Sequence, residues 1–469
     1  MSQNATRRVL VPLALAQFIC SFAGSNMNVM INDMSQDLNT TVQGIQLAIT
    51  LFLLVMAALM IPGGKLTDRY GRKRCLNVGL AIYGVGALLS AVAPGLPLLI
   101  VGNSLLEGIG TALLIPPVYI LTTLLFADVG SRARAFGRIN GMGGIGAATG
   151  PLIGGLIATA ISWRAAFIFQ ALVIVLIVVL SRRDVRDPLP PDPTRPFDTV
   201  GAVLSAIGLV LLVMGILATD DNGWLAAGLM LAGALILAWF FLWVRSRERA
   251  GREALLSPTL FRSRTSNIGL LTQNIQWLVL MGVSFVVSAF LQVVRGYNAI
   301  QTGLILTAAT AGLLLSSLAA ERLAHRRAQR TLIMAGFGLT IAGIALFIGV
   351  LEIAEGFWAY LPGLFLIGLG IGAMLTPSVN IVQSAFPDER QGEISGLSRS
   401  VSNLGSSLGA AIAGTILVAD LTRTPERAYM LAMIVVAAIG LIGLVAAFFL
   451  PGTRAVAATA PSEPAAQAG

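Results

Sequence analysis

The stretch from residue 42 to residue 94 reads VQGIQLAITLFLLVMAALMIPGGKLTDRYGRKRCLNVGLAIYGVGALLSAVAP. It consists of two apolar runs joined by a short and strongly charged loop. Each run approaches the length of about 20 residues that a helix needs to cross the hydrocarbon core of a bilayer. Because lipid offers no hydrogen-bond partner to a free backbone amide, we predict that both runs are membrane-spanning helices.

The same alternation continues through the whole chain. Of its 469 residues, 56% are hydrophobic and only 11% are charged. Apolar runs separated by charged or Pro- and Gly-rich loops predict an all-α membrane protein with fourteen transmembrane helices. We place these spans at residues 9–32, 42–62, 75–94, 97–125, 138–160, 165–181, 199–219, 224–244, 267–293, 299–320, 331–351, 358–383, 395–418 and 428–450.

The basic residues are concentrated on one side of the predicted membrane. The net charge is +9, and all but four of the 31 Lys and Arg residues fall on the side that holds both termini. The four exceptions are Arg164, Arg295, Arg423 and Arg427. This bias follows the positive-inside rule. We therefore expect cytoplasmic termini, a multi-pass location in a bacterial inner membrane and no nucleic-acid partner.

Two parts of the chain resemble each other, and the matching residues are separated by a nearly constant difference in residue number. Lys65, Leu66, Asp68, Arg69 and Lys73 correspond to Arg322, Leu323, His325, Arg326 and Arg330; Gly108, Gly110 and Pro117 correspond to Gly368, Gly370 and Pro377; and Gly150 corresponds to Gly409. Such repeats predict two pseudo-symmetric six-helix bundles, at residues 1–181 and 265–451. Residues 182–264 then form a linker with two inserted helices, spans seven and eight, and residues 452–469 form a disordered tail.

The charged loop between the second and third spans can do more than set topology. Its glycines allow a sharp turn and close helix approach, and Asp68 is placed to meet a helix N-terminus or an arginine of a neighbouring span. We predict a conformational latch that holds the two halves closed, with an ordinary positively charged loop as the alternative. The latch comprises Gly64, Asp68, Arg69, Gly71, Arg72 and Lys73.

The fifth predicted span is rich in glycine. Gly146, Gly150, Gly154 and Gly155 repeat on nearly one helix face and let a neighbouring helix pack backbone to backbone. Pro151 removes one amide donor and bends the span. A bent and closely packed helix suits two halves that rock against each other, although generic small-residue packing leaves the same pattern.

Both motifs carry a family resemblance. The loop Gly64–Lys73 resembles the signature Gly-x-Leu-x-Asp-Arg-x-Gly-Arg-Lys of the major facilitator superfamily, and residues 146–155 resemble its fifth-span antiporter motif. With fourteen predicted spans, the chain is similar along essentially its whole length to the fourteen-helix drug:proton antiporter branch. The resemblance implies the major facilitator fold and the exchange of a small-molecule substrate for protons.

Glu107 is the one carboxylate that these boundaries place near the middle of a span, about 15 Å deep at roughly 1.5 Å per residue. A charge there is costly, so the group should face a cavity, find a partner or take up a proton. We predict a proton-coupling role, with a neutral or paired structural carboxyl as the alternative. Where the family usually has a fourth-span Arg and a first-span Asp, this chain has Ser104 and Ala23. Either coupling has moved to Glu107, or protons are not used in the usual way.

Polar side chains form stripes on two predicted spans. In lipid, such faces either line a central cavity or bond to adjacent helices, and we predict cavity lining. Because these two stripes carry few charges, the cavity should bind neutral, zwitterionic or amphipathic substrates. The lining residues are Gln17, Ser21, Ser25, Asn28 and Asn32 on the first span and Gln273, Trp277 and Ser284 on the ninth.

Several other classes of function are disfavoured. The sequence has no glycine-rich phosphate loop ending in Lys-Ser/Thr, no evident nucleophile-base-acid set and no metal-ligand cluster. We therefore expect a protein that is not an enzyme and binds no cofactor or metal. Efflux of small lipophilic compounds by a monomer, with protons entering in exchange, is the leading hypothesis. A dedicated metabolite, lipid or siderophore transporter and a non-transporting membrane sensor are the alternatives.

Overall fold

The computed structural model describes residues 3–126, 129–187, 190–194, 196–219, 222–324, 328–351, 356–386, 391–420 and 425–452. Within these ranges the chain is helical, with turns and loops between the helices and no β-strand. The predicted tail lies outside the described residues from 453 onward, and so do His325 and Arg326 of the repeated loop.

Fourteen long helices follow one another along the described chain. Odd-numbered helices begin at the end of the molecule that holds Gln3, here called the base, and even-numbered helices begin at the opposite, far end. The helices are α1 (Gln3–Asn26, continued by Met27–Met30 and Ile31–Asp37), α2 (Val42–Tyr70), α3 (Arg72–Ala91), α4 (Leu96–Leu99, Ile100–Glu107 and Gly108–Leu125), α5 (Val129–Ala160), α6 (Trp163–Asp184), α7 (Thr199–Leu217), α8 (Gly223–Arg249), α9 (Arg264–Ala289, continued by Phe290–Val294), α10 (Ala299–Ala324), α11 (Gln329–Leu351), α12 (Leu361–Gln383), α13 (Gln391–Asp420) and α14 (Pro425–Phe448).

Most of these helices are suited to a bilayer. Within the described residues, 12 are long and apolar enough to cross a membrane, and 13 if the bent α5 counts as one span. The bend in α5 is 41°, between Ala135–Ala147 and Thr149–Ala160. The predicted all-α membrane fold is therefore confirmed. The serine-rich α13 is not among these spans, so fourteen membrane crossings stay a prediction.

Helix packing follows two groups of six. In the first group, α1 packs on α5 and α6, α4 packs on α2 and α3, and α3 packs on α6. In the second group, α9 packs on α13 and α14, α12 packs on α10 and α11, and α11 packs on α14. The helices α7 and α8 pair with each other, and α7 also contacts α2 and α13, one helix from each group.

Two antiparallel helix pairs join the groups. Between α2 and α13, Gln46 Nε2 donates to the carbonyl oxygens of Ala410 and Ala411, each at 3.1 Å. Between α5 and α10, the Ile300 amide donates to Thr159 Oγ1 at 3.1 Å. These bonds lie in the far half of the molecule, so the two groups are held together there.

Candidate functional site

Glu107 lies in the interior of the first helix group. It ends the π-helical stretch Ile100–Glu107 of α4, a wide-turn geometry that is frequent at functional sites, and its side chain is completely buried. Its Oε1 accepts a hydrogen bond from Ser90 Oγ on α3 at 3.4 Å, whereas Oε2 has no hydrogen-bond partner in the part of the chain that the structure describes. The Tyr83 hydroxyl lies beside the carboxyl and donates to Gln170 Oε1 on α6 at 2.5 Å.

Glycines bring the backbones of α3 and α4 close together beside Glu107. A Cβ added at Gly86 would lie 2.6 Å from the carbonyl oxygen of Gly102 and 2.9 Å from the Glu107 amide nitrogen. A Cβ at Gly110 would lie 2.7 Å from the amide nitrogen of Tyr83. The two backbones are therefore in direct contact at these glycines.

The surroundings of Glu107 suit a neutral carboxylic acid. Among the described residues no ion pair involves Glu107. An unpaired carboxylate in hydrocarbon is costly, so the protonated form is favoured. Because Tyr83 uses its only proton on Gln170, its oxygen can accept the proton of the acid. The side chain thus faces α3 and α6 rather than the interface between the two groups.

A polar contact crosses the two helix groups at another place. The Arg399 guanidinium of α13 lies 4.0 Å from the ring centroid of Tyr119 on α4 and donates to its hydroxyl. Tyr119 in turn donates to Gln17 Oε1 on α1 at 3.2 Å, and Gln17 Nε2 donates to Ser21 Oγ at 3.3 Å. Sequence reasoning missed Arg399 and Tyr119, although a basic residue inside the predicted span 395–418 is a usable signal.

The predicted polar stripes make many of their bonds to neighbouring helices. Gln273 accepts from Ser398 Oγ at 2.9 Å and donates to Ser402 Oγ at 3.0 Å, both on α13. Asn28 Nδ2 approaches Met281 Sδ of α9 at 3.8 Å. Cavity lining by these stripes stays a prediction. Gln17, Asn28 and Gln273 are buried, whereas Ser21, Ser25, Asn32, Trp277 and Ser284 are half-buried.

Further side chains tie the far end together. Gln292 of α9 accepts from the Asn32 amide of α1 at 3.0 Å, a bond between the two groups. Within the first group, Asp37 Oδ2 accepts from Trp163 Nε1 at 2.9 Å and pairs with Arg164. These contacts fix the end of α1 to both α9 and α6, so the far end has no wide opening between α1 and α9.

The glycine face of α5 packs against two helices. Cβ atoms added at Gly146, Gly150 or Gly154 would collide with α1, and one added at Gly155 would collide with the backbone of α10. The bend of 41° lies one turn before Pro151, where a proline ring displaces the preceding carbonyl. This motif therefore occupies the junction of α1, α5 and α10.

Most of the predicted loop Gly64–Lys73 is helical, because α2 continues to Tyr70 and α3 begins at Arg72, so that the turn itself is at Gly71. Gly71 adopts φ +93°, a value that favours glycine, and α3 begins at the next residue. Asp68 pairs with Arg72 at 3.0 Å. Asp187 Oδ2 caps α3, because it accepts from the amides of Arg72 at 2.6 Å and Lys73 at 3.2 Å. Sequence reasoning missed this cap, whose signal was an acid in the Pro-, Asp- and Arg-rich connection.

The other predicted residues of this loop make contacts of several kinds. The close helix approach expected at Gly64 falls at Gly63, because Gly63 faces the backbone of α4, while a Cβ at Gly64 would make only ordinary contact at 3.7 Å. Arg69 lies 5.6 Å from the ring centroid of the following tyrosine. Lys65, the second residue of the predicted loop, pairs with Glu253 of the α8–α9 connection at 3.1 Å.

The helix packing and the charged turn agree with a comparison to known families. A model described as Major Facilitator Superfamily matches residues 13–208, 197–410 and 271–468. The chain belongs to the Major Facilitator Superfamily. As a member of that superfamily it is a transport protein rather than an enzyme.

Within the superfamily, the chain resembles drug exporters. It is 30% identical over 413 residues, 87% of this chain and 81% of the relative, to a puromycin resistance protein of Streptomyces alboniger. It is 27% identical over 419 residues, 89% of this chain and 77% of the relative, to the multidrug resistance protein Stp of Mycobacterium tuberculosis. It is also 30% identical over 374 residues, 79% of this chain and 73% of the relative, to the multidrug efflux pump LfrA of Mycolicibacterium smegmatis. The chain is therefore an efflux transporter of the drug-efflux branch.

Solved transporters share the fold. A peptide transporter in complex with alafosfalin superimposes with a TM-score of 0.69 at 16% identity, covering 96% of this chain and 98% of that chain. A sulfate complex of a peptide transporter gives 0.68 at 17% identity, covering 94% and 95%. At this level of identity the likeness shows the fold alone, and it confirms the predicted major facilitator fold.

Proposed function

We propose that the chain exports small lipophilic or amphipathic compounds by alternating access, in exchange for protons. Glu107 carries the proton part of this proposal. It is a completely buried carboxyl inside a span, and no ion pair of the described residues involves it. Such a group holds a proton in one helix arrangement and releases it when water or a cation reaches it in another. Coupling requires this change of protonation.

Residues 1–181 and 265–451 move as two six-helix bundles in this proposal, and residues 182–264 carry the two inserted helices. The bonds of Gln46 to α13 and of Gln292 to α1 support a state in which the bundles are closed together at the far end. The base is cytoplasmic, because all but four of the 31 Lys and Arg residues are assigned to that side. The far end is then periplasmic, in a bacterial inner membrane.

The two sequence motifs act on this movement. The loop Gly64–Lys73 is the latch at the base, where the Asp68–Arg72 pair and the Asp187 cap hold the start of α3. The glycines of α5 let its backbone approach α1 and α10 closely, because a Cβ atom at any of the four positions would collide with one of these helices. Both motifs therefore influence the rate of interconversion more than substrate affinity.

The substrate class follows from the interface and the relatives. Gln17, Tyr119 and Arg399 present an amide, an aromatic ring and a guanidinium between the two bundles. This mixture suits neutral or zwitterionic amphipathic molecules better than strongly cationic ones. Relatives named for puromycin and multidrug resistance support a drug-like compound. We expect the transporter to work as a monomer.

A vesicle experiment tests the proposal. The purified full chain is reconstituted into liposomes that contain a pH-sensitive dye, and a mixed compound library is added with and without a pH gradient. Proton movement induced by a substrate, together with concentrative substrate flux that collapses with an uncoupler, is the expected result. Substrate flux without proton movement would instead indicate a gradient-driven dedicated transporter, and neither movement would indicate a sensor.

A further inference from the structure

A basic pocket of about 370 Å³ lies at the base end of α8, away from the interface between the helix groups. The helix α8 is one of the candidate spans and ends at Arg249. The pocket is therefore at the level where the hydrocarbon of the membrane gives way to water. Its lining residues are Phe241, Arg245, Glu248, Arg249, Pro258 and Arg262.

The positive charge of this pocket is not neutralised by the protein. Arg245, Arg249 and Arg262 are exposed, and none of the three makes a hydrogen bond or ion pair with another residue in the described chain. The carboxylate of Glu248 accepts a hydrogen bond from Ser257 Oγ at 2.7 Å. Three free guanidiniums thus surround a space with one carboxylate that is already engaged.

Another arginine of α8, Arg247, is by contrast bonded to other residues of the protein. Arg247 Nε donates to the carbonyl oxygen of Glu253 at 3.1 Å and lies 3.7 Å from Asp198 Oδ1. Its guanidinium also lies 5.9 Å from the ring centroid of Trp243. Arg247 therefore fixes the α8–α9 connection, whereas Arg245 and Arg249 point to the pocket and have no such partners.

Apolar surface continues from the pocket toward the middle of the membrane. Only 17% of the apolar stretch of α8 is buried inside the protein, so this helix faces lipid. The exposed fractions of Leu235, Trp239 and Leu242 are 61%, 58% and 65%. Phe241 forms the boundary between this surface and the pocket, and its ring packs 5.1 Å from that of Phe261. The acyl chains of a lipid could pack along this apolar surface while its headgroup contacts the arginines of the pocket.

We propose that this pocket binds the phosphate headgroup of an anionic phospholipid from the leaflet at the base. Guanidinium groups form charge-assisted, bidentate hydrogen bonds to phosphate, and basic pockets at the ends of membrane helices recruit anionic lipids. The bound lipid holds the α8–α9 connection in place. That connection reaches the first group through the Lys65–Glu253 pair and the second through the bond from the Ser257 amide to Glu393 at 2.8 Å.

Native mass spectrometry of the full chain in detergent tests this proposal. Phosphatidylglycerol and phosphatidylcholine are titrated separately, and inorganic phosphate is added as a competitor. The test variant combines Arg245→Gln, Arg249→Gln and Arg262→Gln. The matched control combines Arg183→Gln, Arg186→Gln and Arg252→Gln, which remove the same charge from exposed positions outside the pocket. Size-exclusion chromatography verifies that both variants stay folded.

Tight binding of phosphatidylglycerol to the native chain, weak binding of phosphatidylcholine and no displacement by inorganic phosphate are the expected results. Each pocket arginine contributes about fivefold in affinity, which corresponds to about 1 kcal/mol, and the control variant stays near the native value. Equal binding by both lipids, equal losses in both variants or displacement by inorganic phosphate would overturn the proposal. The last result would indicate a site for free phosphate instead.

Discussion

The helix pairs α3–α4 and α11–α12 are built on the same glycine contacts, yet their centres differ. A Cβ added at Gly86 would lie 2.9 Å from the amide nitrogen of Glu107, and one added at Gly343 would lie 2.7 Å from the amide nitrogen of Ile367. Glu107 and Ile367 therefore occupy equivalent places, each just before the repeated glycine of its helix. Both side chains are buried.

The side chains that surround Glu107 are also more polar than those that surround Ile367. Around Glu107 the helix α3 supplies Tyr83 and Ser90, whereas the equivalent turns of α11 supply Thr340 and Phe347. The second pair packs closely without a carboxyl, so the polar group of the first pair is not needed for packing. This difference is the structural reason to assign chemistry to Glu107.

The largest effect is expected when the carboxyl of the first pair is neutralised permanently. Glu107→Gln keeps the shape of the side chain but cannot exchange a proton. Proton-coupled flux in liposomes should fall to the level of protein-free vesicles, while substrate binding to the purified protein stays measurable. A variant that still concentrates substrate with its proton dependence intact would contradict the assignment. Ile367→Leu, the control in the second pair, should transport normally.

Moving the carboxyl to the second pair should destabilise the protein. Ile367→Glu buries a polar group where the second pair has Phe347 in place of the Ser90 hydroxyl, at a cost of about 3 kcal/mol. The midpoint of thermal unfolding in detergent should fall clearly below that of Ile367→Leu, a nearly volume-conserving change. Equal midpoints would mean that α11–α12 can accept a carboxyl as well as α3–α4 does.

The shared glycine contacts should respond alike in both pairs. Gly86→Ala and Gly343→Ala each push a methyl group into the backbone of the facing helix, so each should lower stability by about 2 kcal/mol. Gly338→Ala on α11 is the control, because open space surrounds that position, and it should stabilise the helix by up to about 1 kcal/mol. Thermal unfolding of the three variants checks this, and a large difference between Gly86→Ala and Gly343→Ala would break the equivalence of the pairs.

A smaller effect is expected in the loop that precedes α3. Asp68→Asn removes the ion pair with Arg72, worth about 1 kcal/mol, and should slow turnover about fivefold while substrate affinity changes little. The control is Asp192→Asn, a carboxylate in another base loop that bonds to Thr194. Stopped-flow transport and equilibrium binding separate the two quantities, and unchanged turnover would return the loop to a purely topological role.

The sequence was sufficient for the features that depend on periodicity. Span length, the positive-inside bias and the internal repeat predicted an all-helical membrane protein, and the glycine pattern of α5 predicted a close helix contact. The substitution of an acid at position 107 within an apolar run identified the buried carboxyl. These features depend only on the local sequence, that is, on the spacing of residues along one helix.

Features that depend on helix rotation or on a distant partner could not be predicted in this way. The close approach falls at Gly63 rather than Gly64, a difference of one position that is set by how α2 is turned toward α4. The contact of Arg399 with Tyr119 and the cap of α3 by Asp187 join segments far apart in the chain. Only the packed structure brings these groups together.

Infrared difference spectroscopy of the carboxyl C=O stretch tests the central claim most directly. The purified protein is compared in acidic and alkaline buffer, with and without a substrate found in the vesicle screen, and Glu107→Gln serves as the reference. We predict a protonated-carboxyl band that disappears in Glu107→Gln and weakens in the native protein when substrate is added. A band assigned to Glu107 that responds neither to substrate nor to pH would show that this carboxyl is a permanent structural acid, and the proposed coupling would be wrong.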